Sequence, residues 1–160
     1  MKDTIDREKK GILKMWNKIR AALHKEEAKD SKALSNAEAV AAILVYTAKL
    51  DEDYGTEERA HILELLARQQ WDSTTSAEDL LARAEELCSE AVGYYGFLRV
   101  VNADFEDEDR AELLAMMWGV VMVDGVVDDY EANMMRRITG LLGLTDIESG
   151  RIRREVTGSL

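Results

Sequence analysis

One pattern, written twice, constrains this chain more than any other. From Leu113 to Leu144 it reads LLAMMWGVVMVDGVVDDYEANMMRRITGLLGL, an apolar run, a tight acidic loop and a second apolar run. From Ala41 to Gln69 a weaker copy reads AAILVYTAKLDEDYGTEERAHILELLARQ. An offset of 73 positions lays Asp51 on Asp124, Glu58 on Glu131 and Leu65 on Ile138. Apolar residues three and four apart flank both loops. Each copy therefore predicts a helix–acidic loop–helix hairpin.

The remainder agrees with a helical chain. Its 160 residues contain no proline, and Ala, Leu, Glu, Arg, Lys and Met dominate. Nothing alternates with period two for long enough to be a strand. The expected fold is all-α, a compact bundle of about seven helices that includes the two related hairpins. A chain of this length builds one domain with a core that needs no staples.

Helix boundaries are written in local chemistry. Ser35 and Glu38 form a capping-box signature for a helix running to about Leu50. Thr56 is placed to cap the next helix, with Glu57 and Glu58 in its first turn. A further helix starts near Ala77, and Gly93 and Gly96 mark a break. The acids from Asp104 to Asp109 suit the start of a helix ending near Val123. Asp124 follows one turn on and is expected to point inward. The helix from Asp129 to about Leu142 turns Met134, Met135, Ile138 and Leu141 toward the core. Gly143 suits a left-handed cap, and Thr145 with Glu148 opens a last helix to about Val156.

Two regions are expected: residues 1–34, a basic amphipathic helix and connector, and residues 35–160, the helical domain. Ile5, Ile12, Trp16, Ile19 and Leu23 share one stripe, flanked by lysines. Residues 1–25 carry +5 and the remainder −16, within a net charge of −11. Such a helix lies on an anionic membrane surface or covers acidic protein, and both readings stay open. The acidic balance argues against a nucleic-acid partner, which needs a basic footprint. Cys88 is the only cysteine, which excludes an internal disulfide and a thiolate zinc cluster. That usage fits a reducing cytoplasm, with or without peripheral contact at the inner membrane surface through residues 1–25. No apolar run reaches the length of a membrane span.

At the acidic loops the sequence resembles the tellurite-resistance protein TerB family of small all-helical domains. That family's pattern is a helix ending in Ala-Asp-Gly, a short apolar step, one or two acids, then a Glu opening the next helix. The second copy here reads Val123-Asp124-Gly125-Val126-Val127-Asp128-Asp129-Tyr130-Glu131, and Leu142-Gly143-Leu144 matches the family's closing Leu-Gly-Leu. The first copy departs from it. Leu50-Asp51-Glu52 replaces Ala-Asp-Gly, and Gly55 stands where Asp128 stands in the second. These departures weaken the first loop as an ion site of its own. The resemblance runs from about Glu38 to Arg154. It implies an all-α fold of about seven helices, an association with tellurite and general chemical stress, and divalent-metal binding at the clustered acids. Relatives joined to a chaperone J-domain need a His-Pro-Asp triplet, which a chain without proline lacks.

Asp124, Asp128 and Glu131 are hard oxygen donors beside a helix C-terminus, whose free carbonyls are already negative. Calcium or magnesium would balance them. Asp51 and Glu58 would join if the hairpins pair about a local two-fold. The same acids also have a structural reading. Asp128 and Glu131 can form a capping box, and Asp124 can reach the free N–H groups of that helix start. The loop is not an EF-hand, because Gly comes second rather than sixth from Asp124 and Met135 replaces the bidentate Glu.

Enzyme chemistry finds too few parts. Glu58-Arg59-Ala60-His61 has di-iron spacing, but a di-iron bundle needs two such motifs and Met134 occupies the position equivalent to His61. No Ser-His-Asp set, phosphate-cradling loop or Cys–His pair can be assembled. The paired methionines at 116–117 and 134–135 and the three tryptophans read as packing residues. The expected function is a non-enzymatic stress-response binding or interaction module, with its acidic loops as the candidate site for a divalent metal and with a protein partner of unknown identity. A membrane-surface adaptor and a purely structural interaction domain are the alternatives.

Overall fold

The computed structural model describes Met15, residues 34–71 and residues 75–158. The chain divides into two units at Ser35, and the second carries the described core. The expected amphipathic helix over residues 4–25 lies outside the described residues. The described elements are α1 (Asn36–Ala48), a single 3-10 turn (Lys49–Asp51), α2 (Thr56–Arg68), α3 (Ala77–Glu90), α4 (Tyr95–Asp104), α5 (Asp107–Val121), α6 (Asp129–Leu141) and α7 (Asp146–Gly158). There is no strand among them, so the architecture is all-α.

The bundle is organised around α1. Ten of its thirteen residues are buried, from Ala37 to Ala48, and it packs on α2, α3, α4 and α5. Its sequence explains this, since Ala39 to Val45 contains no polar side chain. A helix apolar on every face must be enclosed. Small residues at 39, 41 and 42 let neighbours come close, and the Cys88 thiol of α3 donates to the Ala42 carbonyl at 3.1 Å. The second enclosed helix is α5, buried from Met116 to Val121 and packed on α1, α2 and α7.

Helix ends follow local rules, with some shifts of register. Ser76 accepts from the Asp79 N–H at 3.1 Å and starts α3. Glu148 and Thr145 satisfy each other's N–H groups at 3.2 and 2.7 Å and start α7. Gly143 takes φ +76°, the left-handed cap the sequence leads one to expect, and Leu144 N–H returns to the Thr139 carbonyl at 3.1 Å. The end of α6 gains two side-chain donors. Asn102 reaches the Leu141 carbonyl at 2.8 Å and Arg110 the Leu142 carbonyl at 3.2 Å. Thr56 is not the cap of α2; it is already helical, and Gly55 precedes it as the cap residue. Leu141, expected in the core, is exposed, and Leu142 is buried in its place.

The polar interior is small, and a cluster of it joins α5, α6 and α7. Trp118 Nε1 donates to Ser149 Oγ at 3.1 Å, joining α5 to α7. The Thr139 hydroxyl donates to the Met135 carbonyl at 2.7 Å, and Ser149 Oγ lies 3.4 Å from it. The Arg153 guanidinium stacks over the Trp118 ring at 4.9 Å.

Candidate functional site: the two acidic loops

The two loops repeat the same local chemistry. Asp51 Oδ1 accepts from the Asp53 N–H at 3.1 Å, and Asp124 Oδ1 accepts from the Val126 N–H at 3.0 Å. Each aspartate thus folds onto the backbone two residues ahead, an Asx turn. The following residue is left-handed in both copies: Glu52 at φ 62° and Gly125 at φ 77°. Glycine adopts this freely, whereas a glutamate pays roughly 1–2 kcal/mol for the contact of Cβ with the carbonyl. The first loop has therefore lost the family's glycine and kept its backbone shape.

Both loops then open a helix with a glutamate at the third position. In the second copy Asp128 Oδ1 accepts from the Glu131 N–H at 2.8 Å, and Glu131 Oε2 accepts from the Asp128 N–H at 3.2 Å. In the first copy Glu58 Oε2 accepts from the Gly55 N–H at 3.0 Å. Gly55 has no side chain to return the bond, so only half of the box exists there. Tyr54 and Arg59 anchor this loop to α3 by donating to Glu85 Oε1 at 2.6 and 2.8 Å.

Asp124 does not point inward as its spacing suggests. Helix α5 ends at Val121, and the Gly125 N–H turns back to the Met122 carbonyl at 3.0 Å. Helical projection stops there, and the Asp124 side chain is exposed. Asp128 is exposed, Asp51 and Glu58 are half-buried, and only Glu131 is buried, at 5% exposure.

The fold sets the loops side by side. The 3-10 turn packs against α6. A cleft of about 480 Å³ lies between them, lined by Asp51, Glu52 and Lys49 from the first loop and Asp128 and Tyr130 from the second, with Tyr46 and Leu50 beneath. Burial pushes the Glu131 carboxyl above the ordinary range, and the charges of Asp128, Asp51 and Asp124 push it the same way. The hydrogen bond from the Asp128 backbone opposes them. Of the five acids expected to act together, Asp51, Asp124, Asp128 and Glu131 form one electrostatic neighbourhood. Of the five, Asp51 and Asp128 line the cleft, and Glu58, Asp124 and Glu131 do not. Among the described residues, no three His, Cys, Asp or Glu side chains converge closely enough to hold a metal ion.

Tyr46, Tyr130 and Lys49 are part of this face and were not singled out by sequence reasoning. Tyr130 is embedded in the acidic motif and is exposed. Tyr46 and Lys49 are three residues apart, one turn of the helix leading into the first loop. That spacing was the available signal.

A pair of helical hairpins with matching Asx turns, one after an enclosed helix at each loop, defines a small all-α domain of repeated acidic-turn design. The chain belongs to the tellurite resistance protein TerB family, whose sequence profile matches residues 37–154. Comparison with curated proteins and with solved structures gave no match. No helix among the described residues is long and apolar enough to cross a membrane.

Proposed function

We propose that this chain is a non-enzymatic binding module serving a response to tellurite or related chemical stress, and that the cleft between its acidic loops is the binding face. The observation carrying this is the meeting of two separate loops around one buried carboxylate. Such a face favours a cationic ligand, and calcium or magnesium is the simplest one that carboxylates bind. Binding an ion there requires Asp51, Asp124 or Asp128 to turn from its backbone partner toward the cleft. The exposure of Asp124 and Asp128 leaves them room to do so.

Thermal melts with calcium, magnesium, manganese or chelator test this on wild type and on the Asp51→Asn, Asp124→Asn pair. Asparagine keeps the Asx-turn acceptor and removes only the charge. A ligand at a hundred times its dissociation constant adds about 2.7 kcal/mol, which is roughly 10 °C for a domain of this size. The expected result is a rise with one ion that the double variant lacks. No rise with any ion, or an equal rise in the double variant, would overturn cation binding at this face.

A further inference from the structure

His61 is the one described histidine, and the acidic-loop account leaves it without a role. It lies in the second turn of α2, which starts directly after the first loop. Opposite it is Gly119, in the last turn of α5 before the second loop. A Cβ built on Gly119 would stand 3.4 Å from His61 Nε2, so the ring edge runs against the α5 backbone. That nitrogen is shut away from solvent and has no hydrogen-bond partner.

This arrangement selects a protonation state. In the neutral ring the proton can sit on Nδ1, and Nε2 is then a bare acceptor. A second proton would create a charged N–H donor at Nε2 with nothing to receive it, the costlier kind of orphan. The charges around the seam do little to help. Glu64 favours the imidazolium and Arg68 opposes it, both on α2 itself, while burial outweighs them and holds the ring below the usual imidazole range. Glu57 and Glu58 lie one turn earlier on the same helix. Of the elements packed on α2, α5 presents Gly119 here, and its Glu112 accepts from Gln69. The Glu85 carboxylate of α3 is engaged by Tyr54 and Arg59. Glu38, the single charged residue of α1, meets Arg83 of α3.

We propose that His61 is an acid-opened latch between α2 and α5, and that protonation of its ring loosens the seam beneath the two acidic loops. The neutral ring closes the seam, and the charged ring must leave Gly119 to find water. The sign follows from burial of the neutral form. Stability from this group is full above the ordinary imidazole value and declines as pH falls through the lowered folded one.

Proton NMR titration of a His24→Gln chain, which holds a single imidazole, tests the latch together with melts of wild type and His61→Phe. The His61 ring is expected to titrate below the ordinary imidazole range, with the Gly119 amide moving at the same midpoint. The melting temperature of wild type is expected to fall more steeply between pH about 7 and about 5 than that of His61→Phe. A ring titrating in the ordinary range, a Gly119 amide that does not follow it, or equal slopes in the two proteins would overturn the latch. If His61→Phe does not fold, the ring and the Gly119 amide decide alone.

Discussion

Replacing Leu44 with alanine is expected to cost about 2–5 kcal/mol of stability. Leu44 has no exposed surface and sits on the helix that every early element packs against. Truncation removes the transfer energy of the lost methyl groups and leaves a cavity. Relaxation into that cavity is limited, because α1 is held on all sides by α2, α3, α4 and α5. Urea unfolding would show the loss as a lower midpoint at unchanged slope. Ile147→Ala serves as the control. Ile147 is 84% exposed, and its truncation is expected to change stability by no more than about 0.5 kcal/mol. Equal losses in the two variants would mean that α1 is not the centre of the core.

The second large effect is expected at Trp118. Its ring is 6% exposed and touches three kinds of partner: the apolar core, the Ser149 hydroxyl and the Arg153 guanidinium. Trp118→Ala removes all of them and is expected to cost about 3–5 kcal/mol. Trp118→Phe keeps most of the apolar area and loses chiefly the indole hydrogen bond, so its cost should be smaller, about 0.5–1.5 kcal/mol. Ser149 retains Thr139 as a neighbour in that variant, so its hydroxyl is not orphaned. Ser149→Ala made in the Trp118→Phe background should then cost less than in wild type, because the shared hydrogen bond is already gone.

Much of this fold was legible because its punctuation is local. Thr145 with Glu148, Asp128 with Glu131 and the left-handed Gly143 are each decided within three or four residues. Sequence spacing alone suffices there. Two of the misplaced residues share one physical cause. Asp124 and Leu141 were assigned by carrying helical periodicity to a helix end, where the chain turns and projection no longer holds. Thr56 missed by one position because Glu58 bonds to the Gly55 N–H and moves the cap residue back to a glycine. The left-handed Glu52 was hidden because its residue type argues against the conformation that the loop imposes.

The site was legible in its acids and not in its walls. Asp51 and Asp128 are 77 positions apart in the chain, and only the packing of the 3-10 turn on α6 brings their loops together. Tyr46, Lys49 and Tyr130 become part of the face for the same reason. Glu131 illustrates the difference most clearly. Its capping role follows from spacing, whereas its burial and its sensitivity to Asp51 depend on tertiary structure.

That sensitivity has a pH consequence. A carboxyl whose folded pKa is raised contributes stability that is full below its unfolded value and is lost as pH rises through the folded one. Glu131 therefore opposes folding slightly at neutral pH, and Glu131→Gln, which can still cap, should relieve that cost. The most direct test of the account is a carboxyl NMR titration of Glu131 in wild type and Asp51→Asn, in the presence of chelator. Glu131 is expected to titrate above the ordinary carboxylate range and to move back toward it when Asp51 loses its charge. A Glu131 that titrates in the ordinary range, or that ignores Asp51, would mean the two acidic loops do not share a face.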